Sequence, residues 1–231
     1  MTLAATGAIS LGGSTATRSV ALELGRSATA AINMNDAALR TLAGKASGAI
    51  SLGDFRGKSN FTPQTIVRQG SASSQTVPAG ATNVIIEAWG NGGYGGGYYF
   101  DGSNYNSGGG GGAGGYCRSS YSCSGGQTIN YDARAGFTVQ VTSGTLSITT
   151  MTANNGGNGV PGTFSDAGFA GNGGTATGGN QANVTGQAGS GAAPGNSTAG
   201  VYGGPFGDGG SGDASPASTP GGPGGIVFRF T

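Results

Sequence analysis

The sequence predicts a mainly β protein: a small N-terminal repeat module with short helices, then a β-sandwich-like domain carrying glycine-rich, polyglycine II-like insertions. Three observations predict it. Strand-like runs bounded by turn residues recur from residue 65 onward and close the chain at 225–230. Glycine supplies 53 of the 231 residues, against an average usage of about 7%, and most of it falls between residues 91 and 225. The hexapeptide Gly-Ala-Ile-Ser-Leu-Gly occurs at 7–12 and again at 48–53.

Residues 1–60 form the first unit. Ile9-Ser10-Leu11, Ile32-Asn33-Met34 and Ile50-Ser51-Leu52 each set a β-branched residue before a Ser or Asn able to cap a helix. After the middle copy, Asn35 and Asp36 precede Ala-Ala-Leu-Arg-Thr-Leu-Ala and then Gly44, which predicts a capped helix with a glycine stop. A second short helix is expected over 18–24, ending at Gly25. Helices this short are not stable alone in water, so the unit is expected to dock on another body, as an attachment or oligomerisation module.

Residues 61–231 form the second unit. Strands are expected at 65–68, 75–77, 83–89, 128–131, 137–142, 145–150 and 225–230, with a turn at Pro78-Ala79-Gly80 and a hairpin at Ser143-Gly144. The closing strand is expected to pair with 83–89 and thereby staple the insertions 91–126 and 153–224. Trp89, at a strand end, reads as core.

Two readings of the glycines compete. Glycine loses the most backbone freedom on folding and buries no side chain, as in a flexible linker. Against this, Gly156, Gly159 and Gly162, then Gly168, Gly171 and Gly174, then Gly204, Gly207 and Gly210 recur at period three, as do glycines within 108–115. An extended helix of three residues per turn aligns every third residue on one edge, and a hydrogen-only edge lets a neighbouring backbone lie against it. The phase slips every two or three turns and Pro numbers only 8, which excludes collagen. The expectation is a bundle of short glycine helices pinned by Phe164, Phe169, Val184, Tyr202 and Phe206.

Composition excludes several functions. With 10 Lys and Arg against 9 Asp and Glu, there is no basic field for nucleic acid. No His and 2 Cys leave little for a metal centre or acid–base catalysis, so no enzyme, cofactor or metal is expected. Asp101, Asn104 and Asn106 have oxygen-ligand spacing but lack the rest of a calcium loop. No signal peptide or membrane span is evident, which implies synthesis in a cytoplasm and exit by another route, such as release in a particle.

Both units carry a resemblance. Ile32-Asn33-Met34-Asn35-Asp36 and residues 48–58 resemble the module that begins many bacteriophage tail and virion proteins. Residues 77–90, running into Gly-Gly repeats, and the ending Gly-Gly-Pro-Gly-Gly-Ile-Val-Phe-Arg-Phe are similar to the glycine-rich domain of phage tail fibres and adhesins. The glycine runs here are shorter and less regular than in the richest of those adhesins. The resemblance implies a homotrimeric virion protein that joins other tail proteins through residues 1–60. It also implies that loops joining glycine helices recognise a host surface glycan or outer-membrane protein. A purely structural decoration or tail-tip protein without receptor binding is the alternative.

Tyr94, Tyr98, Tyr99, Phe100, Tyr105, Tyr116 and Tyr121 are the candidate recognition residues. Rigid Tyr among Gly, Ser and Asn is the composition of adaptable binding loops, with structural filler the competing reading. Cys117 and Cys123 read as lying in an exposed loop, at a separation that permits a disulfide. A reducing cytosol opposes that bond and a released particle favours it.

Overall fold

The computed structural model describes residues 2–100, 102–103, 105–189, 206–208 and 220–231. Asp101, Asn104, Tyr202, Gly204 and Gly210 therefore lie outside the described residues, as does the side chain of Tyr105.

In the N-terminal unit, α1 (Val20–Glu23) starts at Ser19, whose hydroxyl accepts from the Leu22 amide. Helix α2 (Ala37–Ala43) starts at Asp36, whose carboxylate accepts from the Ala38 and Leu39 amides, and stops at Gly44 with φ +71°. The second hexapeptide ends in a single 3-10 turn, Leu52–Phe55, closed by a reciprocal Ser51–Asp54 capping box. These pieces pack on one another. Leu3, Ile9, Val20, Leu39, Leu42 and Phe55 are buried against one another, with Ile32, Met34 and Ile50 packed around them. The two ends of the unit also meet, Thr2 bridging Ser59 and the Leu3 amide donating to Lys58 O. Short helices are stabilised by tertiary packing, and here a core inside the unit supplies it.

The second unit is a sandwich of two antiparallel five-stranded sheets, in keeping with the predicted class. One sheet has the order β1 (Gln64–Arg68), β12 (Gly225–Phe230), β3 (Asn83–Trp89), β6 (Tyr116–Ser122), β11 (Ala182–Val184). The other has β10 (Ala176–Thr177), β9 (Met151–Ala153), β8 (Val139–Ser143), β7 (Thr128–Asp132), β2 (Ala72–Thr76). Strand β12 lies between β1 and β3, pairing Phe230 with Val84 and Gly225 with Trp89, as expected of the closing strand.

Alternation decides the core. Val84, Ile86 and Ala88 of β3, with Ile226, Phe228 and Phe230 of β12, face Ile129, Val139, Val141 and Met151 across the sandwich. Each large apolar side chain fully buried there contributes roughly 1.5–3 kcal/mol. The opposite face of the first sheet carries Trp89, Tyr116 and Val227, covered by Phe206. Trp89 lies 5.0 Å from Tyr116 and 5.6 Å from Phe206 between ring centroids, so Trp89 is core, as its position implied. Glu87 is buried on this face because the Tyr116 hydroxyl donates to it at 3.0 Å and Arg229 Nε at 2.8 Å.

Strand β6 corrects the boundaries of the first insertion. Residues 91–126 contain a central strand, and Cys117 and Cys123 are on it or one residue past its end. At about 3.3 Å per residue, six residues along a strand hold them roughly 20 Å apart, far beyond the span of a disulfide. Both are free thiols, Cys117 buried and Cys123 half-buried.

The glycine insertions continue the sheets. Strand β3 runs into an extended glycine helix at 90–97, and a second helix at 108–115 returns into β6. Strand β9 likewise runs into a third at 154–162, and a fourth at 168–175 returns into β10. A shorter fifth follows β11 at 186–189. The pairs β3–β6 in the first sheet and β9–β10 in the second thus pass into paired glycine helices, and β11 adds the fifth from the first sheet. Where side chains vanish, the sheets close from side-chain packing to direct backbone contact.

Candidate recognition site

Period three fixes the lattice that carries the site. Gly90, Gly93 and Gly96 donate from N–H to the carbonyls of Gly115, Gly112 and Gly109. Gly109, Gly112 and Gly115 donate in turn to Val160, Gly157 and Asn154, and Gly156, Gly159 and Gly162 to Asn91, Tyr94 and Gly97. Gly168, Gly171 and Gly174 donate to Ser107, Gly110 and Ala113, while Asn154, Gly157 and Val160 donate to Thr175, Asn172 and Phe169. The fifth helix joins through Gly186 and Gly189, which donate to Gly174 and Gly171. The helix at 108–115 is buried throughout. Its amides have no water to turn to, and the neighbouring carbonyls satisfy them. A Cβ on Gly112, Gly159 or Gly171 would collide with the carbonyls of Asn172, Gly109 or Gly157.

This lattice projects two tips from the sandwich. At about 3.1 Å per residue, the eight residues 90–97 carry the chain roughly 25 Å outward. The first tip is a small hairpin, β4 (Tyr99–Phe100) with β5 (Tyr105–Asn106). The second is the turn 163–167, closed by Thr163 N–H donating to Asp166 O at 2.8 Å. They come from different insertions and meet. Asn106 Nδ2 donates to Thr163 O at 2.8 Å and Phe164 O at 3.1 Å. Tyr99 meets Phe164 edge to face.

The tip end is apolar, aromatic and exposed. Tyr99 and Phe100 are 42% and 47% accessible, Phe164 and Phe169 69% and 74%. Val160, whose amide bonds Phe169 O, is exposed beside them. Asp166 is the only charged side chain among the described residues of 98–107 and 160–169. Large apolar groups left in water together at one end mark an interaction surface.

The structure separates the seven candidates. Tyr98, Tyr99, Phe100 and the backbone of Tyr105 are in the first tip. Tyr94 stands on the flank of the lattice. Tyr116 is 1% exposed, its ring tilted at 44° against Trp89 and its hydroxyl bonded to Glu87, so it presents nothing to a partner. Tyr121 is half-buried against the sandwich core, its hydroxyl accepting from the Thr149 amide at 3.2 Å. Of the expected pins, Phe206 and Val184 do pack on the sheet, whereas Phe164 and Phe169 point outward and join the tip. A lone large apolar residue inside a glycine-rich turn was the available signal for them.

Among the described residues no three His, Cys, Asp or Glu side chains gather as a metal site, and no helix is long and apolar enough to cross a membrane. Burial pushes the Cys117 thiol up to about 12, which keeps it protonated at neutral pH, and raises Cys123 as well. Neither protein-family models nor curated proteins give a match to this chain.

Proposed function

We propose that this chain is a virion protein of a bacteriophage tail, a tail fibre or adhesin, that recognises the host cell surface through the tips of its glycine lattice. The observation that carries the reading is the cluster of Tyr99, Phe100, Phe164 and Phe169, exposed together at the end of a backbone-packed spine. Such a spine is held chiefly by backbone hydrogen bonds between its glycine helices, so the tips are free to vary without unfolding what holds them. Aromatic rings offer large contact area with little rotamer entropy to lose, which suits a glycan or an outer-membrane protein loop. In this reading residues 1–60 join the other tail proteins, the assembly is a homotrimer, and the chain acts without cofactor, catalysis or nucleic acid.

Adsorption of the purified chain to bacterial cells tests it. Replacing Tyr98, Tyr99, Phe100 and Phe164 together by Ser is expected to abolish adsorption to a cell type that binds the parent chain, with the sandwich still folded. Undiminished adsorption by the folded variant would move the site elsewhere or favour a purely structural decoration or tail-tip role.

A further inference from the structure

On the flank of the lattice, away from the tips, a groove of about 500 Å³ opens beside the first and third glycine helices, with Gly136 and Pro223 among its walls. Three-residue periodicity explains its contents. Residues three apart share an edge of an extended helix, and the edges lining this groove carry Asn91 and Tyr94 on one helix and Asn155 and Asn158 on the other.

Two of these four side chains have structural work. Asn91 Nδ2 donates to Phe137 O at 2.7 Å and to Asn155 Oδ1 at 2.8 Å, and its Oδ1 accepts from the Gly224 amide at 2.8 Å. Asn155 receives that bond and donates to Gly136 O at 3.3 Å. The other two keep a group that the lattice does not use. Tyr94 is 52% exposed, and among the described residues its ring meets no other ring and its hydroxyl has no partner. The lattice uses only its backbone, the carbonyl accepting from Gly159 and the N–H donating to Asn158 Oδ1. That bond fixes the Asn158 amide at the groove, and its NH₂ has no partner among the described residues.

We propose that this groove binds a neutral sugar ring, stacked on Tyr94 and hydrogen-bonded by the Asn158 amide. A pyranose has one face of C–H groups, which matches an aromatic face, and a rim of hydroxyls, which accept from an amide NH₂. Among the described residues no charged side chain lines the groove, so a phosphorylated or carboxylated sugar gains nothing from them over a neutral one. The volume falls in the range of roughly 300–1,000 Å³ typical of small-ligand sites. The site is separate from the tips and does not depend on their role.

Titration of the ¹⁵N-labelled full chain tests it, with the methyl glycosides of glucose, galactose and mannose and with N-acetylglucosamine as probes. Concentrations up to about 100 mM suffice to reveal millimolar affinity. At least one probe is expected to shift the amides of Gly92, Gly156 and Gly157. Tyr94→Ala is expected to weaken that binding about tenfold or more, and Tyr94→Leu, which keeps bulk but loses the aromatic face, to do the same. Phe164→Ser at the tip is expected to leave it unchanged, so a failure here is distinguishable from a failure of the adhesive tip. Absence of shifts with every probe, shifts confined to the tips, or shifts that survive both Tyr94 variants in folded protein would overturn the proposal.

Discussion

Tyr99 and Phe164 stand in separate insertions, one grown from each sheet, yet their rings meet at 6.4 Å and 72° between planes. Asn106 reinforces the contact by donating across the same gap. The two tips are therefore one surface whose geometry depends on both insertions.

Asn106→Ala should uncouple them. The change removes two tip-to-tip hydrogen bonds and touches no part of the lattice or the sandwich. Exposed bonds of this kind contribute on the order of 1 kcal/mol or less to stability. Adsorption of the purified chain is expected to fall while the thermal midpoint moves by only a few degrees, on the order of 4 °C at most. Unchanged adsorption would show that the tips act independently.

Glycines on the packed edges should tolerate no side chain. Gly159→Val and Gly171→Val each drive a Cβ into a neighbouring carbonyl, and the only relief is to push neighbouring helices apart and leave their amides unpaired. A loss of at least ~3 kcal/mol is expected for each. Asn172→Val, on the same helix but exposed, should cost under about 1 kcal/mol. Amide exchange gives the independent check, since Gly109, Gly112, Gly157 and Gly171 should be protected as strongly as strand β3.

Legibility followed the strength of local signals. Strands β3 and β12 were readable to the residue, because β-branched and aromatic runs end abruptly at Pro, Gly or the chain end. Helix α2 was readable because Asp36 and Gly44 punctuate it. The period-three glycines at 156–162 and 168–174 announced two helices, and the phase slips proved to be the tips between them. The helix at 90–97 went unread because its Gly90, Gly93 and Gly96 adjoin a strand. Strand β6 was hidden by composition, since Cys, Arg and Ser carry weak strand preference and only pairing with β3 makes them one. The expected strand at 145–150 is a loop. Ser143 Oγ accepts from the Ile148 amide and donates to its carbonyl, capturing groups a ladder would have used, while Leu146 and Ile148 still enter the core. The tip could not be assembled from sequence at all, because Phe164 and Tyr99 are brought together only by the lattice register.

The cysteines give a chemical test of β6. Non-reducing denaturation should expose two titratable thiols, and the intact mass should show no loss of two hydrogens. In the native state Cys117 should resist alkylation at neutral pH, its thiol being buried and pushed up to about 12. A disulfide between Cys117 and Cys123 would require β6 to be unravelled, so finding one would overturn the strand assignment.

Acid should loosen the N-terminal unit through its carboxylates. The Ser51 amide, then Lys45 and the Ser51 hydroxyl, hold Asp54 at about 2, below its ordinary 3.8. Asp36 is likewise lowered, chiefly by Arg26 and then by the Leu39 amide at the start of α2. A carboxylate depressed by folding stabilises the native state above its unfolded pKa, and that stabilisation is lost as pH falls through the folded value. The unit should therefore weaken between about pH 4 and pH 2, with its helical signal lost before the sandwich responds. Asp54→Asn removes the titrating group and should flatten that dependence, and an unchanged acid profile in the variant would show that other groups set it.

In the proposed function the same unit attaches the chain to a particle. Its core of Leu3, Val20, Leu39 and Phe55 shares no residue with the sandwich core, so removing residues 1–59 should leave a folded sandwich and lattice with protected glycine amides. Because the unit closes on itself, any partner must read its surface, where Leu52 of the second hexapeptide is 43% exposed. If it attaches the chain to a virion, the truncated form should adsorb to cells through intact tips yet be missing from purified particles. Leu52→Asp in the full chain should reproduce the missing incorporation without unfolding the unit. Recovery of the truncated chain in particles at parental levels would place the attachment surface on the sandwich instead.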